Sequence, residues 1–182
     1  MEVRYKRLRQ FFGMSQSGDL KKAVQGLKNP QAILLMSNDR QFEDHVEELE
    51  QLFPGVPSIG CIGMSYDIRM VEKGVGVVAY CDGVTAAANV LEKVSTMPVK
   101  YIRRLTQDVE KVGVSGTNTI CIDFCSGNDA CVLTTVHSVL KHKNISLVGG
   151  TGDAGKVSAN GSVYQDAVAY VLVKNHGGKV KA

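Results

Sequence analysis

Two stretches of the chain carry residue types able to grip a small ligand. Gly149-Gly150-Thr151-Gly152-Asp153 follows the apolar run from Ile145 to Val148, and Gly60-Cys61-Ile62-Gly63-Met64-Ser65 closes a similar run that starts at Val56. A glycine lacks the side chain that would hold a ligand off the backbone, so the N–H groups of such segments can be approached closely. The two are unequal, the first offering a hydroxyl and a carboxylate and the second being mostly apolar. Asp153 is suited to an ammonium group and the glycine N–H groups to a carboxylate, the pair an amino acid presents. Aspartate is also the residue type that caps its own turn, and that use stays open for Asp153. Ser126-Gly127-Asn128-Asp129 ends a further strand and joins the site if the strands are neighbours. The candidate ligand-binding residues are therefore Gly60, Cys61, Ser65, Ser126, Asn128, Gly149, Gly150, Thr151, Gly152 and Asp153.

Other chemistries find less support. Gly150 to Gly155 matches the dinucleotide pattern G-x-G-x-x-G, but Lys156 to Ser162 holds an Asn-Gly turn and no apolar helical stripe, and no acidic residue stands about 20 positions beyond. No cofactor is expected. A nucleophilic Cys61 would need a base, and His45, His137 and His142 have no spacing that supplies one; a buried, inert thiol is the better reading. Cys121 and Cys125 lack the paired spacing or histidines of a zinc site. Neither a phosphate-binding P-loop nor a G-x-S-x-G elbow occurs.

The elements that must position these residues come in two similar sets. Ala32 to Met36 reads as a buried strand, and Phe42, Val46, Leu49 and then Leu52 or Phe53 form the stripe of a helix that Pro54-Gly55 stops. Val56 to Gly60 is a second strand and Gly74 to Tyr80 a third; Val84, Ala87, Ala88, Leu91 and Val94 then fall on one face of an expected helix. The order returns with a strand at Thr119 to Phe124, a helix carrying Val132, Val136, Val139 and Leu140, a strand at Ile145 to Val148 and a closing strand at Ala167 to Val173. Ser37 and Ser126 are related by the same offset as Gly60 and Gly149. The expected class is α/β: a mixed sheet with helices, in two strand-helix-strand-strand halves at about 30–97 and 117–174, whose glycine segments meet where the halves join. Tyr101, Leu105, Val109 and Val112 predict a connector helix at about 100–113, and Asn160-Gly161 predicts a hairpin near 156–166. Residues 1–18 are expected to be a loose basic leader, 19–176 the domain, and 177–182 a tail, either a linker to a downstream part or a natural terminus.

Composition narrows the class. With 182 residues, 44% of them hydrophobic, the chain can bury a sizeable core. A net charge of +3, scattered after Arg9, does not predict nucleic-acid binding; no apolar stretch of about 7–15 residues follows the basic Met1 to Arg9 as in a signal peptide, and no segment approaches the length of a membrane span. The odd cysteine set, Cys61, Cys81, Cys121, Cys125 and Cys131, argues for reduced thiols and a cytoplasmic location.

The succession of Ala32 to Ser37, a helix, Pro57-Ser58-Ile59-Gly60-Cys61, a strand at Gly74 to Tyr80 and Ser146-Leu147-Val148-Gly149-Gly150-Thr151-Gly152-Asp153 before a hairpin resembles the N-terminal domain of FIST sensory proteins. The resemblance covers about residues 30 to 175. It implies a cytoplasmic module that binds small ligands such as amino acids, ahead of a second FIST domain, a methyl-accepting chemotaxis region, a histidine kinase or a cyclic-dinucleotide enzyme. The residues it carries over are Gly60, Cys61, Gly149, Gly150, Thr151, Gly152 and Asp153. Two departures stand out: Ile62-Gly63-Met64 replaces a more polar stretch, which leaves the ligand class open, and no second FIST domain is expected within these 182 residues. The competing expectations are a small-metabolite enzyme working at Gly149 to Asp153 and a scaffold that only oligomerises.

Overall fold

Alternating side chains make an edge strand of part of the expected leader. In the computed structural model, which describes residues 7–63, 73–96, 102–127 and 129–179, β1 (Arg9–Ser15) turns Phe11 onto the apolar core while Gln10 and Phe12 stay exposed. Asp19 then caps the short α1 (Leu20–Ala23), its carboxylate accepting the Lys22 N–H at 3.1 Å. The apolar run Pro30–Ser37 is β2, and the Asn38 side chain accepts the Gln41 N–H in a single turn that leads into α2 (Phe42–Leu52). Phe42, His45, Val46 and Leu49 are its buried face; beyond them Phe53 packs on the core while Leu52 stays exposed. β3 (Ser58–Ile62) and β4 (Val75–Cys81) follow.

After β4 the structure departs from the expected helix. Residues Val84–Glu92 form a strand, β5. Asp82 and Gly83 both take positive φ, 56° and 61°, the geometry of a tight reversal between strands. The alanine-rich spacing of Val84, Ala87, Ala88 and Leu91 fits a helical face, but pairing with a later strand over the whole length of β5 decides its state. The connector is helical as expected, α3 (Ile102–Val112), with Leu105, Val109 and Val112 buried. β6 (Thr119–Ser126), α4 (Asp129–Lys141) and β7 (Ser146–Thr151) come next. β8 (Lys156–Ala159) and β9 (Ser162–Gln165) make the expected hairpin, with Asn160 and Gly161 at φ 47° and 77°. β10 (Ala167–Asn175) ends the series. Residues 1–6, Ser65, Tyr101, Asn128 and 180–182 lie outside the described residues, as do the side chains of Cys131 and Val132.

The strands form two mixed sheets rather than one. One runs β1-β4-β2-β3-β8-β9 and the other β5-β10-β6-β7. β2 and β3 are parallel and β4 antiparallel to β2; β6 and β7 are parallel and β10 antiparallel to β6. The order β4-β2-β3 thus returns as β10-β6-β7, whereas the hairpin β8-β9 leaves the second set to pair with β3.

The sheets pack face to face, with α1 and α2 covering one outer face and α3 and α4 the other. Between them lie Ala32, Leu34, Ile59 and Val157 of the longer sheet against Val90, Ile122, Ala169 and Val171 of the shorter. Each fully buried valine, leucine or isoleucine is worth about 1.5–3 kcal/mol, against about 0–1 kcal/mol for an exposed ion pair such as Arg9–Asp82. The apolar pleats therefore hold the sandwich, and charges trim its surface.

Candidate functional site

Strand direction brings the two glycine segments together. The C-terminal ends of β2 and β3 lie side by side, Ser37 opposite Ile62, and the Gly63 N–H donates to the Ser37 carbonyl at 2.9 Å. In the other sheet β6 and β7 end together, and the Gly152 N–H donates to the Cys125 carbonyl at 2.8 Å. The chain then crosses from β7 to β8, which is hydrogen-bonded to β3. Gly152 consequently rests on Cys61: a Cβ built on it would stand 3.0 Å from the Cys61 Cβ and 3.3 Å from the Lys156 carbonyl oxygen. Only a residue without a side chain fits this crossing without displacing a neighbour.

The glycine residues divide into two kinds. Gly60 is buried in the middle of β3, opposite Ser158, and Gly149 and Gly150 are part of β7 rather than of a loop. The loops proper begin at Gly63 and Gly152. Gly149 faces Asp123 in the register, and a side chain on it would collide with the Asp123 carbonyl and carboxylate. β7 is the edge of its sheet, and Gly149, Gly150 and Thr151 are exposed there. An edge strand turns half of its backbone N–H and C=O groups outward, available to a ligand.

Side-chain chemistry separates the remaining candidates. Asp153 is exposed at the start of the turn Asp153–Gly155, next to buried Gly152. The Ser126 hydroxyl is committed to backbone: it accepts the Ala167 N–H at 3.2 Å and donates to the Ala167 carbonyl at 3.3 Å, stapling β6 to β10. It offers a ligand little. Cys61 is 7% exposed and packs between the sheets, where burial pushes its thiol up to about 12, helped by the Asp153 carboxylate. At neutral pH it is a thiol and a poor nucleophile. Lys156 pairs with Glu43 at 3.0 Å and ties the start of β8 to α2 beside this end of the sandwich.

Two features here were not among the sequence candidates. Asp123 is a carboxylate only 6% exposed in the middle of β6, and its signal in the sequence is one acidic residue inside Thr119-Ile-Cys-Ile-Asp-Phe-Cys. The second is a buried pair, Ser37 and His45, with the Ser37 Oγ 2.7 Å from Nδ1 and the Gly18 carbonyl 2.8 Å from Nε2. A carbonyl only accepts, so Nε2 carries a hydrogen. Serine beside an oriented imidazole is the layout of an activated nucleophile, yet Ser37 is 0% and His45 3% exposed. The pair ties β2, α2 and the turn before α1 together.

The comparison with known families now decides the kinship. The family model described as FIST N domain matches residues 31–181. The chain belongs to the FIST N domain family. FIST is a family of sensory domains. A search of curated proteins finds no match. In this FIST N domain the matched span takes in both glycine segments and all strands except β1, whose pairing with β4 runs from Arg9 opposite Cys81 to Ser15 opposite Val75. No helix among the described residues is long and apolar enough to cross a membrane.

Proposed function

We propose that this FIST N domain is a cytoplasmic sensory input module that binds an amino acid, or a metabolite with the same paired charges, where Gly63 and Gly152-Asp153 come together. The observation that carries the reading is the contact of Gly152 with Cys61, which brings both glycine segments to one end of the sandwich and leaves Asp153 exposed beside them. The Asp153 carboxylate takes the ammonium group, and backbone N–H groups on the outer edge of β7, such as that of Gly149, take the carboxylate. Binding there favours one packing of the two sheets over another, and the change passes to a signalling partner of the methyl-accepting, histidine kinase or cyclic-dinucleotide type.

The alternative, an enzyme at Gly149 to Asp153, draws no support from Cys61, whose thiol is held protonated by its surroundings. Thermal unfolding of the full chain against a panel of the common amino acids tests the sensor reading. The expected result is a rise of the midpoint with at least one of them, abolished in Asp153→Asn. No rise with any at millimolar concentration, or an equal rise in the variant, refutes it.

A further inference from the structure

The sandwich has a second opening, at the end away from the glycine segments. Strand directions put the start of β1, the end of β4, the starts of β5 and β6 and the end of β10 there. Between them lies a cleft of about 320 Å³. Leu8, just before β1, and Tyr80 of β4 face Val84, Ile120 and Val173 on the shorter sheet. Gln10, Asn175 and Lys179 also line it. The sheets are held at this end by the Asp82-Gly83 reversal that joins β4 to β5, and the His176 N–H locks that reversal by donating to the Gly83 carbonyl at 2.9 Å.

The lining has a definite chemical character. Among the described residues the walls are aliphatic apart from the Tyr80 ring, and the polar groups are two amides, a phenol and one ammonium group, with no carboxylate. The neighbouring Asp82 is engaged by Arg9 at 3.5 Å. Burial pushes the Tyr80 phenol up, so at neutral pH its O–H is a donor. Such a volume is at the small end of ligand sites and suits a single ring.

We propose that this cleft is a second small-molecule site, for a small aromatic monocarboxylate whose ring sits between the sheets and whose carboxylate meets Lys179 and the amide of Gln10 or Asn175. The two sites are then at opposite ends of one sandwich, and both sense its packing. Apolar walls from both sheets supply most of the affinity, and Lys179 supplies the preference for an anion.

Benzoate titrated into the full chain, followed by ligand-observed NMR, is the test, with benzyl alcohol as the uncharged control. Saturable benzoate binding is expected, with benzyl alcohol and the exposed-site variant Lys179→Ala each weaker by about fivefold or more. Ile120→Phe, which fills the cleft, should abolish binding, and its thermal midpoint reports whether it folds; Lys179→Ala decides the matter if it does not. Asp153→Asn should leave benzoate binding unchanged, which separates this site from the amino-acid site. Absence of benzoate binding, equal binding of benzyl alcohol, indifference to Lys179→Ala or loss in Asp153→Asn each overturns the proposal.

Discussion

Gly152 and Cys61 meet at the crossing between the two sheets, with 3.0 Å between the position a Gly152 Cβ would take and the Cys61 Cβ. A valine at 152 must push either β3 or the β7–β8 crossing aside. Gly152→Val is expected to cost about 1–3 kcal/mol, read from urea unfolding, and to blunt any thermal response to amino acids. A variant as stable as the parent would mean that the crossing has room to spare.

The Cys61 thiol makes a second prediction, in alkaline solution. Its folded value is pushed up to about 12 from an ordinary 9.0 by burial, so between those values the unfolded chain sheds a proton that the folded chain keeps. Stability from this group is therefore full below about pH 9 and falls as pH rises towards 12, by about 1.4 kcal/mol per pH unit at the steepest. Cys61→Ala should unfold in urea with a shallower alkaline decline than the parent. Parallel declines would show that the thiol ionises as easily in the folded chain.

His45 is joined to Ser37 and to the Gly18 carbonyl at once, so its removal strands that carbonyl and empties a buried site, while the Ser37 hydroxyl keeps the Asn38 carbonyl at 3.1 Å. His45→Ala is expected to lose about 2–4 kcal/mol by chemical denaturation, and Ser37→Ala about 1–2 kcal/mol. Measured losses below about 0.5 kcal/mol for both would dismiss the pair as a tie between β2 and α2.

Tyr170 donates from its phenol to the Asp108 carboxylate at 2.6 Å, and the Asn89 amide donates to the same oxygen at 3.0 Å. Burial, then the Asp108 bond, hold that phenol far above its ordinary value. Tyr170→Phe keeps the ring and deletes one donor. It should cost about 1–2 kcal/mol and speed amide exchange in α3, because Asp108 is one polar anchor of that helix on β5 and β10, beside the Arg104 guanidinium on the Val90 carbonyl. Unaltered exchange across residues 102–112 would show that the helix is anchored without the phenol, by Leu105, Val109 and the bonds of Arg104 and Asn89.

Local patterning announced most of the elements. Runs such as Ala32 to Met36, the stripe from Phe42 to Leu49 and the Asn160-Gly161 turn are written in neighbouring residues, and the structure follows them. Val84, Ala87, Ala88 and Leu91 satisfy a helical period where the structure has β5, and the strand's signal is the Asp82-Gly83 reversal between two apolar runs. β1 was hidden by its basic neighbours, since its strand state comes from β4, remote in sequence. The same limit applies to the site. That Gly149 to Asp153 follow a strand is local information, whereas the commitment of Ser126 to Ala167 and the seat of Gly60 against Ser158 depend on which strands become partners.

The hairpin β8-β9 comes from the second half of the chain yet completes the sheet begun by the first, and the backbone re-enters the other sheet at Asp166. The molecule is thus laced rather than stacked: severing it near the middle would leave two fragments, each missing strands that the other owns. Cooperative melting of the whole follows from that lacing, and so does a route for a pull exerted on one layer to be felt in the other through covalent bonds.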